Sequence, residues 1–211
     1  FDGKEARLMT KIDQSLSLPQ VMKDNKLSIL AIENGLYRIS KANPFIKVGD
    51  GGNAKITTIA APNHLLSLDS YRIATESAAL DLAHHSGMLT AVFHEETLLT
   101  IRGRSRGNLN FILDGIRFDV SGVQIEVDGG YEGKSTVNLV EAKNKSCADL
   151  NIRQLLYPEL HWRKKLENAK SVHSWAMILE VDIFRFLKFV NIGTSFCFDF
   201  ANEKAFRFEK A

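Results

Sequence analysis

Residues Val123 to Lys143 read VQIEVDGGYEGKSTVNLVEAK, and the fold turns on this stretch. Two runs of alternating apolar residues flank a Gly-rich turn, the pattern of a β-hairpin. Val123, Ile125 and Val127 point to one side of the first strand, so Gln124, Glu126 and Asp128 point to the other. A turn centred on Lys134 and Ser135 sets Asp128 opposite Glu141, whereas a register slipped by one residue would flip the faces. Glu141 and Lys143 lie two apart on the second strand and share a face beside Asp128. Two carboxylates and an ammonium are therefore expected at one end of a strand pair.

Carboxylates held ~4 Å apart repel by about 4 kcal/mol at an effective dielectric of about 20, a cost that a proton or cation between them removes. A hard divalent cation suits the place. One or two carboxylates, with waters and substrate phosphate completing the shell, describe a magnesium site. Lys143 adds a positive charge suited to orienting an attacking water or neutralising a phosphoryl oxygen. Glu132, at the turn, is a competing acid that a different register would bring in; it ranks behind Asp128.

Asp128, twelve intervening residues, and then Glu141-Ala142-Lys143 resemble the PD-(D/E)XK nuclease superfamily, and within it the type II restriction endonucleases. The apolar run from Val137 to Val140 suits a buried central strand, and helical segments lie before and after it. Val127 stands where the superfamily's name has proline. The resemblance covers roughly Leu68 to Val181. It implies an α+β fold: a restriction-endonuclease-like core with a mixed, largely antiparallel sheet flanked by helices, plus a small N-terminal lobe. The expected division is 1–62 for the lobe and 63–211 for the nuclease domain.

The same resemblance implies that Asp128, Glu141 and the carbonyl of Ala142 ligate Mg2+ while Lys143 orients the nucleophile. Glu76, on the helix preceding the sheet, is the candidate for a further carboxylate, with an exposed helix glutamate as the alternative. The implied substrate is double-stranded DNA, cut at a specific site to leave 5′-phosphate and 3′-hydroxyl ends. A palindromic site is best read by a two-fold homodimer. A repair or structure-specific nuclease of the same fold, and a DNA-binding module that has lost catalysis, are the alternatives. The implied location is the cytoplasm of a bacterium or archaeon.

At 211 residues, 45% hydrophobic and 25% charged, the chain has the composition of an ordinary globular protein with one sizeable core. No apolar run reaches membrane-spanning length, so no membrane partner is expected, and no signal peptide is read at the start. The chain opens on Phe1 rather than Met, and preceding residues are expected in the natural protein. Cys147 and Cys197 stand far apart with no metal or redox spacing, as suits a reducing compartment. The net charge of +2 does not itself point to nucleic acid. Local clusters do: Arg102, Arg104 and Arg106 in RGRSRG, and Arg163, Lys164 and Lys165. Gln154 and Lys145 are further candidate nucleic-acid contacts. Gln154 with Tyr157 resembles a Q-and-Y helix signature of some nucleases in the superfamily, at a different spacing.

Elsewhere the patterns predict strands at Leu27–Ile32 and Tyr37–Ile39, and a plain Gly-rich loop at 49–53. A helix is expected within Leu68–Leu89, capped by Asp69 or Ser70 and stopped by Gly87. His84 and His85 diverge by about 100° on it and are not expected to share a metal. Two strands should surround RGRSRG, and Asp114-Gly115 should turn a hairpin into Ile116–Val120. A long helix starting near Asp149 should kink at Pro158. Strands are expected at Val172–Val181, Ile183–Ile192, Phe196–Phe200 and Phe206–Phe208.

Overall fold

The structure is a computed structural model that describes residues 11–51, 54–70, 72–167, 169–192 and 195–209. A short helix α1 (Gln20–Asp24) leads into the hairpin β1 (Ser28–Glu33) and β2 (Leu36–Ser40), turned by Asn34 and by Gly35 at φ 81°. Strands β3 (Phe45–Lys47) and β4 (Ile56–Ile59) follow, then helices α2 (Glu76–His85) and α3 (Met88–Phe93). Next come β5 (Leu98–Leu113), β6 (Ile116–Glu132), β7 (Thr136–Lys143) and β8 (Asp149–Asn151). Helix α4 (Leu156–Lys165) precedes β9 (Ser171–Glu180), β10 (Ile183–Ile192), β11 (Ser195–Phe198) and β12 (Lys204–Phe208).

The class is α+β, with few helices and a large mixed sheet of ten strands among the described residues. The main order is β2-β1-β6-β7-β9-β10-β12-β4, with β5 on β6 and β11 on β10; β3 and β8 pair separately. β6 and β7 are antiparallel, while β7 and β9 are parallel and joined across α4. β7 lies at the centre because TVNLVEAK is buried on both faces. Val140 and Ala142 pack with Leu80, Leu82 and Ala83 of α2. Val137 and Leu139 pack with Val127 and Val172, against which Trp162 and Leu166 also lie. Strands β1 and β4, both from the expected 1–62 lobe, stand toward opposite ends of the strand order. Leu30, Ile46 and Val48 of that segment share a core with Phe111, Phe118 and Tyr157. Of the 49–53 loop, Gly52 and Asn53 lie outside the described residues.

Five expectations are corrected. The segment 98–113 is one continuous strand rather than two around a basic loop, because RGRSRG pairs with β6 from Gly103 to Gly107. Ile116–Val120 likewise runs unbroken into the strand that carries Asp128. Helix α2 begins at Glu76, where the Thr75 hydroxyl caps it by accepting from the Ala78 N–H. Asp69 instead accepts from the Arg72 N–H in a local turn. Asp149 belongs to a strand, and α4 starts only at Leu156, so Pro158 falls in the first turn, where its missing N–H costs no helical bond and no kink is required. Last, Phe200 lies in a 3-10 turn after β11.

The turn at Asp114 and Gly115 has positive φ at both residues (49° and 76°), as the two-residue hairpin needs. Among the described residues no helix is long and apolar enough to cross a membrane.

Candidate active site

The β6–β7 ladder pairs Gly129 with Val140 and Glu132 with Val137, which is the register that sets Asp128 opposite Glu141. On its other edge β6 carries a bulge: Ile101 pairs Gly130 but Gly103 pairs Val127, so β6 has one extra residue at Asp128–Gly129. The two glycines make this possible. A Cβ on Gly130 would stand 2.6 Å from the Ile101 Cβ, and one on Gly129 would stand 2.9 Å from the Tyr131 ring. A bulge re-aims the side chain it carries. Here the Asp128 carboxylate turns onto β7 and accepts the Ala142 N–H at 2.9 Å.

Around that contact the other groups gather. Lys143 Nζ donates to Glu141 Oε1 at 2.5 Å and to the Ala142 carbonyl at 3.1 Å. Glu76 Oε1 lies 3.9 Å from the same ammonium. The first residue of α2 is brought there because Asn144 Nδ2, just past β7, donates to the Ala74 carbonyl at 3.1 Å. Gln154 Nε2 donates to Glu141 Oε1 from the 3-10 turn before α4, while its own Oε1 is buried without a partner among the described residues. Asn151 caps that turn by accepting from the Arg153 N–H.

Three carboxylates thus face one ammonium. Burial raises Glu141 to about 7, with Lys143 pulling it down and Asp128 and Glu76 pushing it up. Glu76 is also raised, again chiefly by burial. Burial pulls Lys143 down, but the Glu141, Glu76 and Asp128 carboxylates outweigh it and the net shift is upward. The two glutamates are thus raised chiefly by loss of water, and the upward shift of Lys143 is the one that reports the surrounding carboxylates. With the carboxylates ionised, one ammonium leaves them under-compensated, and a proton on Glu141 or a bound cation relieves that.

The donor set fits such an ion. Carboxylate oxygens of Asp128 and Glu141 and the Ala142 carbonyl would hold it, all hard oxygen ligands. Among the described residues no group of three or more His, Cys, Asp or Glu side chains is placed to hold a metal ion.

The structure therefore brings together Asp128, Glu141, Ala142, Lys143 and Glu76. Glu132 is not with them: its carboxylate is 2.5 Å from Lys170 Nζ and accepts from Thr100. Gln154 lies at the cluster, where its amide donates to the Glu141 carboxylate. Lys145 follows β7 in an exposed position, close enough to lower Glu76. The three arginines sit on a strand face. Arg102 donates to Asp81 at 2.7 Å and to the Asp128 carbonyl at 3.0 Å, bracing the bulge. Arg104 donates to Glu126 at 3.1 Å and Arg106 to the Gly122 carbonyl at 3.4 Å. His84 Nε2 is bonded to the Thr97 carbonyl, 2.9 Å away. Burial pushes the Cys147 thiol up to about 11, which makes it a poor nucleophile. The bracing by Arg102 and Gln154 is what sequence reading missed; Gly129-Gly130 directly after an acid was the available signal for a bulge.

Fold and cluster define an α+β domain whose central strand ends in a half-buried acid–lysine centre. The chain belongs to the family described as Domain of unknown function (DUF6997), which it matches over residues 40–205. Residues 1–39 match a second, Domain of unknown function (DUF6996). No curated protein and no solved structure matches the chain.

Proposed function

We propose that this protein is a magnesium-dependent endonuclease that hydrolyses phosphodiester bonds of double-stranded DNA, similar to type II restriction enzymes of the PD-(D/E)XK superfamily. The observation that carries the reading is the gathering at the β6–β7 pair of Asp128, bonded to the Ala142 N–H, and of Glu141 and Lys143, bonded to each other, with Glu76 3.9 Å from the Lys143 ammonium. The surroundings match at the level of the α+β class alone, with the acids on an antiparallel hairpin; the ten-stranded mixed sheet with few helices departs from the restriction-endonuclease core expected from the sequence.

In this reading Asp128 and Glu141 fix the cation, and the Ala142 carbonyl completes the protein's share. Magnesium, when bound, supplies a Lewis acid for a phosphoryl oxygen and lowers the pKa of the attacking water. Lys143, freed from the Ala142 carbonyl, orients that water and stabilises the charge that develops on phosphorus-bound oxygen. Gln154 keeps the Glu141 carboxylate aimed at the cation. A two-fold homodimer reading a palindromic site, in a bacterial or archaeal cytoplasm, belongs to the same proposal.

End mapping on DNA of known sequence tests it. Discrete fragments with ligatable 5′-phosphate ends are expected in magnesium and none in a chelator. Nicking that follows DNA structure rather than sequence would move the assignment to a repair nuclease, and intact DNA under all conditions would refute it.

A further inference from the structure

We propose that the open face of the β5–β6 ribbon is a base-reading surface that enters the major groove of duplex DNA; this rests on the DNA-acting reading above. β7 pairs with β6 only from Gly129 to Glu132, and β1 joins its ladder at Ser121 alone. From Gly103 to Val127 the two strands therefore run on past the cluster as a ribbon. One face is closed by Phe111, Phe118, Val123 and Ile125, all in the core. The other is exposed and presents Arg104 opposite Glu126, Arg106 opposite Gln124, and Asn110 opposite Asp119.

These are the side chains that distinguish base pairs. Arginine pairs with the guanine edge, asparagine and glutamine with the adenine edge, and carboxylates accept from cytosine N4. The mixture is informative, because a face that only tracked phosphates would be basic throughout. Here donors and acceptors alternate. Arg104 and Glu126, 66% and 46% exposed, meet at 3.1 Å in water, where either can exchange its partner for a base.

Dimensions agree. Outward residues on one strand repeat every ~6.8 Å, the rise of two base pairs at ~3.4 Å each. Two strands ~4.8 Å apart, with side chains, fit a groove ~12 Å wide that admits a β-ribbon. Gln124 lies four residues before Asp128 on one strand, or about 13 Å, which places the bases read roughly four pairs from the phosphate cut.

The test is selection from a pool of randomised duplexes in calcium instead of magnesium, with sequencing of the bound fraction. Wild type should enrich one motif. Gln124→Ala and Asn110→Ala should each relax an adenine position and Arg106→Ala a guanine position, each weakening the preferred duplex roughly 5- to 150-fold. All three side chains are exposed, and circular dichroism confirms that each variant is folded. The same motif from every variant, or no motif from wild type, overturns the proposal. A motif that these substitutions alter, from a chain that cuts no DNA in magnesium, upholds the ribbon and refutes the nuclease. Cutting at a fixed sequence that they leave unchanged refutes the ribbon alone.

Discussion

Ala142 donates its backbone N–H to the side chain of Asp128 at 2.9 Å, just beyond the last ladder pair, Gly129 with Val140. A carboxylate has taken the place of a main-chain acceptor, and the bulge at Asp128–Gly129 lets it do so. Gly130→Ala puts a methyl 2.6 Å from the Ile101 Cβ, so the bulge has to shift. The expected loss is about 1–3 kcal/mol, read as a lower urea midpoint with unchanged slope. An unchanged midpoint would mean that the close approach is not real.

Glu141 gives the metal-free protein a pH signature. Its folded value of about 7 stands above its ordinary 4.5, chiefly through burial. The folded state therefore holds a proton that the unfolded chain releases. That stabilisation is complete below 4.5 and is lost as pH rises through about 7. In a chelator, the unfolding free energy of wild type should fall across this window more than that of Glu141→Gln, by an amount on the order of 1–3 kcal/mol. Parallel profiles for the two proteins would contradict the burial argument.

Gln154 is the brace of the cluster. Replacing it with Leu removes the amide donor from Glu141 while keeping similar bulk. Under the proposed function, the cleavage rate or magnesium affinity should drop about 10- to 100-fold. Equal rates at limiting magnesium would make Gln154 a bystander.

A second buried ion pair lies away from the site. Arg185 Nε meets Glu203 Oε1 at 2.6 Å with both side chains almost fully buried, and the guanidinium also donates to the Gly49 carbonyl at 3.2 Å. Glu203→Gln leaves a guanidinium without its counter-charge and should cost about 3–5 kcal/mol in denaturant unfolding. The double change Arg185→Met with Glu203→Leu should recover most of that loss. No loss in the single variant would show the pair to be solvated.

How far this was legible in sequence follows the strength of local signals. The hairpin register followed from centring the turn on Lys134 and Ser135 in the Gly-rich segment; a slip by one residue was equally open to the pattern, and the observed ladder decides between them. RGRSRG was misread because glycine normally marks a break. Gly107 instead provides clearance, since a Cβ there would stand 2.6 Å from the His161 ring on α4. Asp69 looked like a helix cap for a sound reason, since an aspartate also closes a local turn. Pro158 looked like a kink because the helix was started too early; a strand pairing of Asp149–Asn151 with β3 decides that start, and no local pattern reveals it. The cluster's acids and lysine were legible through their spacing, whereas Gln154 and Arg102 reach it only through tertiary contacts.

The most direct measurement is conversion of supercoiled plasmid in magnesium by wild type, Asp128→Ala and Lys143→Ala, with binding in calcium measured beside it. The account predicts double-strand cleavage by wild type and none by either variant, with duplex affinity retained. Cleavage by both variants at the wild-type rate would contradict it.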